Sequence, residues 1–307
     1  LFSLLTLGSL AGRLHWLLDV LSHYHLQYTV GLTLSLVILL VLGGLRRYLL
    51  IPLVALAINL YLVLPFFLPA AAPAQAAALT SPSAPTLRVM AMNISTSNAG
   101  YANVVALIRE RQPDFVFMSE VREDLLQLLR TELTPDYAYL HAEPSRMTLG
   151  VAFLSRHPFL RVETIRPSGR GRRYLEAEID WQGRPITLVG IHPLPPMRGE
   201  WAAGRNREIA LMGQVANATT QPFVLLGDLN ASPWSVPMRH LMATTDLRYA
   251  LQGYGVWPTW HLAGPLLGAP LDYVLVSADW QVASYTEEGE IGSDHVPVQA
   301  DLRLNAQ

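Results

Sequence analysis

"FVLLGDLNASPWS", residues 223–235, is the stretch whose reading decides the fold. Its apolar run stops at Gly227, and Asp228 and Asn230 follow one residue apart. A short apolar run closed by turn residues reads as a buried strand. The chain is therefore expected to use a strand to deliver a carboxylate and an amide to the edge of a sheet.

The same device recurs outward from this stretch. "LRVMAMNIS" (87–95) alternates as a strand does and ends at Asn93, and "DFVFMSE" (114–120) is an apolar run ending in Glu120. Between them "YANVVALIRERQ" (101–112) has a helical pattern stopped by Pro113, and "VREDLLQLLRTEL" (121–133) resumes the helical period. "LGVAFLS" (149–155), "RYLEAEID" (173–180) and "PITLVGIH" (185–192) read as strands, the last two joined by the turn "WQGR" and the last ending in His192. "EWAAGRNREIALMGQVANAT" (200–219) is a helix, and "LDYVLVS" (271–277) and "HVPVQADLRL" (295–304) are strands beside Asp272, Asp294 and His295. Helices mixed with hairpins predict an α/β sandwich rather than a purely parallel sheet.

Composition sets a second region apart. The 307-residue chain is 51% hydrophobic and only 15% charged, against roughly 25% charged in soluble domains, and the excess lies at the N-terminus. Residues 26–45 and 48–68 are uncharged runs, each long enough to cross a hydrocarbon core of about 30 Å. Residues 1–12 are expected to be a truncated first span. Arg46 and Arg47 lie between the two full spans, and positive residues in short loops favour the cytoplasmic side. The expectation is a multi-pass protein of the inner or plasma membrane, with Asp19 in an outer loop and the globular part extracytoplasmic. Residues 69–86, rich in Ala and Pro, read as a linker, and 87–305 as the catalytic domain.

Several classes are disfavoured. The spans carry no pattern of charged pathway residues, which argues against a transporter. The absence of cysteine removes disulfides, thiolate metal sites and cysteine nucleophiles. Setting aside Arg13, Arg46 and Arg47 from 22 basic residues and Asp19 from 24 acids leaves a formal charge of −4 from residue 87 onward. No global basic field for nucleic acid exists.

Singly, each polar residue at a strand end has a bland reading: Asn93 and Asp228 as turn residues, Glu120 as a helix N-terminal acid, His192 as a core histidine, Asp294 as a solvated loop acid. Together they point to one convergent site. The quoted segments "NIS", "SEV", "GIHP", "GDLN", "LDYVLVS" and "GSDHVP", in this order, resemble the motifs of the endonuclease/exonuclease/phosphatase superfamily over roughly residues 87–305.

That resemblance implies a four-layered fold, two packed sheets flanked by helices, and metal-dependent hydrolysis of phosphate esters. It implies Glu120 as the Mg²⁺ ligand (Mn²⁺ being the alternative ion), with Asn93 near metal and phosphate and Asp294 near the metal. It implies Asp228 as the group acting on the attacking water and Asn230 as its positioning amide. His295 would bind the scissile phosphate with Asp272 holding its ring, and His192 would be a general acid or phosphate contact. Ser95 stands where some relatives carry an acid, which puts a second metal site in doubt. In "SGRGRRYLE" (168–176), Arg170, Arg172, Arg173 and Tyr174 form a basic loop, of which Arg173 and Tyr174 are taken as substrate contacts. The partners expected are a phosphate ester (nucleic acid, phospholipid or small ester) and the lipid bilayer, with no obligate protein partner. A non-enzymatic binding domain is the rival, and it would show lesions among these residues, which the sequence lacks.

Overall fold

The computed structural model describes residues 1–42, 48–69, 85–167, 172–262 and 267–305. Arg46, Arg47, Arg170 and nearly all of the Ala/Pro-rich linker lie outside them.

Two six-stranded mixed sheets make the centre. The first runs β13 (Trp280–Glu287), β14 (Val298–Leu304), β1 (Leu87–Asn93), β2 (Phe115–Ser119), β4 (Val151–Ser155), β3 (Tyr139–Glu143). The second runs β5 (Phe159–Ile165), β6 (Tyr174–Trp181), β7 (Arg184–Gly190), β8 (Phe223–Asp228), β12 (Asp272–Val276), β9 (Arg248–Tyr249). Strands β1 and β2 are parallel, as are β7 and β8; every other pairing within these sheets is antiparallel. The expected hairpin forms between β6 and β7, where Gln182 and Gly183 take left-handed φ of 60° and 79°, the twist that a two-residue hairpin turn requires.

Strand alternation sorts the side chains into layers. Leu87, Val89 and Ala91 of β1 face the second sheet, in one core with Leu188, Leu226 and Tyr273. Met90 and Met92 point the other way, against helices α5 (Tyr101–Arg111) and α6 (Glu123–Leu133) through Val104, Ile108, Leu125 and Leu129. Helices α7 (Gly199–Ala218) and α8 (Val236–Thr244) cover the second sheet with Ile209, Met212, Met238 and Leu241. The result is the expected four-layered α/β sandwich. The sheets approach closely at Gly190, where a Cβ would fall 2.1 Å from the Phe117 ring.

The N-terminal region is helical: α1 (Phe2–Leu10), α2 (Trp16–Leu21) leading through a short 3-10 turn into α3 (His25–Leu42), and α4 (Leu50–Val63) ending in another. Two helical stretches, Trp16–Leu42 and Leu50–Phe67, are long and apolar enough to cross a membrane. Their apolar side chains remain outward, Val37, Ile38, Leu40 and Val41 on α3 and Leu50, Ile51 and Val54 on α4 being exposed.

Asp19, expected in a loop, instead sits within α2 and is buried. It forms an ion pair of 2.7 Å with Arg205 of α7, which is fully buried. Further contacts join the helices to the sandwich: the Trp234 indole N–H donates to the Leu62 carbonyl at 2.8 Å, Gln27 donates to the Gly268 carbonyl at 2.7 Å, and the Gly253 and Gly255 amides donate to the Phe66 carbonyl. Val63 and Phe66 belong to the main core. The helices are thus packed on the sandwich.

Candidate active site

Six strand termini meet at one end of the sandwich. In β1 and β2, Asn93 pairs in register with Ser119, which brings Asn93 beside Glu120. In β8 and β12, Asp228 and Asp272 are direct cross-strand partners. His192 follows β7 by two residues and His295 precedes β14. Local backbone aims these groups. Gly227 has φ of 136°, and a Cβ there would fall 2.1 Å from the Ile191 carbonyl oxygen, so only glycine fits before Asp228. Glu120 and Asn230 hold left-handed φ of 60° and 50°, conformations that cost a non-glycine residue energy and cluster at functional sites.

Asp228 is the hub. Its Oδ1 accepts the Asn230 backbone N–H at 2.8 Å, and its Oδ2 accepts from Asn230 Nδ2 at 3.2 Å and Asn93 Nδ2 at 3.1 Å. His192 Nε2 lies 3.4 Å and His295 Nε2 3.7 Å from the same oxygen. Burial alone pushes this carboxyl up, but the facing His295 charge, the His192 contacts and the Asn230 amide bring it down to about 2.

His295 bonds through Nδ1 to Asp272 Oδ2 at 2.8 Å, an oxygen that also accepts the Thr259 hydroxyl at 2.7 Å. Burial disfavours the His295 charge, yet Asp272 first and Asp228 second raise its pKa to about 10. Burial, with Asp228 beside it, also leaves Asp272 above its ordinary range. Both directions describe one proton in one short bond. It rests on His295, because that ring has a carboxylate on each side.

His192 has a defined tautomer. Arg172 Nη1 donates to its Nδ1 at 3.1 Å, and a guanidinium has no acceptor, so Nδ1 carries the lone pair and Nε2 the proton. The Nε2–H thus lies on the side of the carboxylates, with Asp228 Oδ2 3.4 Å and Glu120 Oε1 3.8 Å from Nε2. Arg172 is fixed in turn by the Thr148 carbonyl and hydroxyl, and its backbone N–H by Glu208.

The sequence-derived candidates separate here. Asn93, Glu120, His192, Asp228, Asn230, Asp272 and His295 are brought together. Arg173 pairs with Glu143 at 2.9 Å and Tyr174 packs in the core, so among the described residues of the basic loop it is Arg172 that reaches the site. Asp294 is exposed and accepts the Trp260 indole N–H at 3.1 Å. Arg205, in the segment that leads on from His192, is buried under Asn230 and donates to its carbonyl at 2.8 Å.

The donor set suits a hard cation at one edge. Glu120 Oε2 accepts the Thr96 N–H at 2.9 Å, whereas the nearest hydrogen-bond donor to Oε1 is Asn93 Nδ2, at 3.5 Å. That leaves a carboxylate oxygen open to an ion that prefers oxygen and keeps several waters. Asp228, Asp272 and His295 also offer donor atoms within 4.8 Å of one another, but an ion shared by all three would compete with the His295–Asp272 bond. The Glu120 edge is the better fit.

Comparison with known proteins agrees with this geometry. A search of curated proteins finds no match. Among solved structures, a humanized form of D. rerio TDP2 superposes with a TM-score of 0.61 at 16% identity, covering 71% of this chain and 99% of that one. A Bacteroides vulgatus endonuclease/exonuclease/phosphatase gives 0.58 at 22%, covering 72% and 99%. The human Nocturnin catalytic domain with bound sulfate gives 0.57 at 18%, covering 72% and 94%. The profile of the Endonuclease/Exonuclease/phosphatase family matches residues 90–295, from the middle of β1 to His295, and so takes in every side chain that converges on Asp228. With fold, site and profile in agreement, the chain belongs to the endonuclease/exonuclease/phosphatase family and is a hydrolase of phosphate ester bonds.

Proposed function

We propose that the protein is a membrane-anchored, divalent-metal-dependent phosphodiesterase. The observation that carries this reading is the His295 imidazolium set between Asp272 and Asp228, a fixed positive charge held between two buried carboxylates. It gives a phosphate oxygen a buried, preorganised donor at Nε2, and such donors contribute most where charge develops in the transition state.

Asp228, ionised and held by two amides, orients a water for in-line attack. Facing the His295 imidazolium and held by Asn230 and Asn93, it contributes orientation and field. Asn230 and Asn93 keep its carboxylate from rotating. His192, protonated at Nε2, donates a hydrogen bond to the phosphate or the water. Glu120 would hold Mg²⁺ or Mn²⁺ with water and substrate oxygens, and the ion would supply Lewis-acid stabilisation of phosphate charge.

The bilayer reading rests on the two long apolar helices and their outward apolar side chains. A phosphodiester is favoured over a monoester because the carboxylates Glu120, Asp228 and Asp272 offset most of the positive charge of the His295 imidazolium, Arg172 and a divalent ion, and the small positive remainder matches a diester's single charge more closely than a monoester's double charge. The test is hydrolysis of bis(p-nitrophenyl) phosphate against p-nitrophenyl phosphate by the full chain in detergent, with Mg²⁺ and then with chelator. Mg²⁺-dependent turnover of the diester is expected. Faster turnover of the monoester would replace this reading with a phosphatase.

A further inference from the structure

The segment that follows Asp228 is gripped at both ends by one buried ion pair. At its start, Arg205 Nη1 donates to the Asn230 carbonyl at 2.8 Å; at its end, Asp19 Oδ1 accepts the Val236 N–H, the first amide of α8, at 2.7 Å. Arg205 Nη2 and Asp19 Oδ2 close the grip at 2.7 Å. Inside the segment, the Trp234 indole is tied to the Leu62 carbonyl and packs edge-on against Phe66 and His25. Gly12, where α1 gives way to α2, lies so close that a Cβ would meet Asp19 Cα at 3.0 Å and Val236 Cγ2 at 3.2 Å.

Asn230 needs such a grip. Its φ of 50° is unfavourable for a side chain with a Cβ, and a conformation of that kind persists where its surroundings over-determine it. Its backbone and side-chain N–H groups are two of the donors that orient Asp228.

We infer that Asp19, through Arg205, is a positioning residue of the active site, and that the N-terminal helices are a working part of the hydrolase. Asp19 touches no substrate. It sets the backbone on which Asn230 stands, and Asn230 sets the carboxylate that faces the phosphate. The inference takes the phosphodiesterase reading as its frame for activity, whereas its structural half stands apart from it.

The experiment uses the full chain in nanodiscs, with bis(p-nitrophenyl) phosphate and Mg²⁺ as the probe, and amide hydrogen exchange of residues 229–236 as a second readout. The double variant Asp19→Leu/Arg205→Met removes both charges and leaves neither orphaned. Its kcat is expected to fall about 10²-fold, as an ångström of misplacement does, with KM unchanged and exchange at 229–236 accelerated. Val236→Pro is the milder variant. Ser235 already has ψ of 155°, which suits a following proline, and proline is at home at the first helical position. It removes the N–H that Asp19 Oδ1 accepts and sets the ring Cδ against that oxygen, so the carboxylate must move off Val236 while its pair with Arg205 remains, and about a tenfold loss of kcat at constant KM is expected, the lesser displacement. Wild-type kcat and wild-type exchange in either folded variant would overturn the inference, and if the double variant does not fold, Val236→Pro decides alone. Should the wild-type chain leave the diester intact, the phosphodiesterase reading fails and exchange alone decides: faster exchange at 229–236 upholds the grip, and unchanged exchange removes it.

Discussion

Asp228 and Asp272 stand directly opposite each other on neighbouring antiparallel strands, both fully buried, with the His295 ring between their carboxylates. Facing like charges on paired strands is ordinarily destabilising. The imidazolium resolves this, and in doing so becomes a fixed cation. Replacing Asp272 by Asn should release the ring's orientation and charge together. We expect Asp272→Asn and His295→Ala each to lower kcat by about 10²–10³-fold while a folded domain remains by circular dichroism. A folded Asp272→Asn enzyme with wild-type kcat would remove His295 from the role assigned to it.

The same unit sets a pH window. His295 is raised from 6.5 to about 10, so its contribution to stability is complete below about pH 6.5 and is lost as pH climbs through about 10. Asp228 is lowered from 3.8 to about 2, so its contribution is complete above about pH 3.8 and is lost as pH falls through about 2. Following the His295 ring by NMR should show no deprotonation between pH 6 and 8. A midpoint near 6.5 in the folded protein would contradict the arrangement.

How much of this was legible in sequence depended on burial. Strand β1 announces itself by alternation and β2, β4, β7, β8 and β12 as apolar runs because they lie inside the sheets, and the polar residues at strand ends mark the site. Strands β3, β5 and β13 gave no signal that singled them out. Each is an edge strand, and their side chains are mostly half-buried or exposed, so no apolar run marks them. Arg172 and Arg173 are equivalent in sequence, both lying just before β6; only the structure shows that Arg172 turns to His192 while Arg173 turns to Glu143. Asp19 could not be read at all, since its partner lies 186 positions away.

His192 should tolerate an amide. Because its Nδ1 accepts from Arg172 and its Nε2–H donates, its role needs a donor and no proton transfer. His192→Asn is expected to stay within about tenfold of wild-type kcat, whereas His192→Ala should lose about 10²-fold, the usual effect of deleting one donor. Equal losses in both would show that the imidazole does something an amide cannot.

Glu120→Gln should weaken metal activation without unfolding the chain, since the Thr96 contact survives on an amide oxygen. The Mg²⁺ concentration for half-maximal rate should rise by at least about tenfold, as loss of a ligand charge implies. An unchanged Mg²⁺ titration with a full rate would move the ligand elsewhere.

Replacing Asp19 alone by Leu in the full chain should destabilise it. Arg205, fully buried, would then lack its partner, and breaking a buried pair from one side costs about 3–5 kcal/mol. Urea melts of Asp19→Leu against Asp19→Leu/Arg205→Met provide the check: the second substitution is expected to raise the midpoint. An Asp19→Leu chain as stable as the wild type, and unaffected by the second substitution, would refute it.

The helix hairpin of α3 and α4 is bolted to the sandwich at Gln27, Leu62 and Phe66. In the proposed bilayer setting this would fix the catalytic mouth at one height, so that the enzyme would sweep a plane instead of a volume. Its rate on an ester carried in the same leaflet would follow the mole fraction of that ester in the lipid and be indifferent to dilution of the suspension. Its rate on an ester in bulk solution would follow volume concentration, and the two dilution laws sort its substrates by dimension before any of them is named.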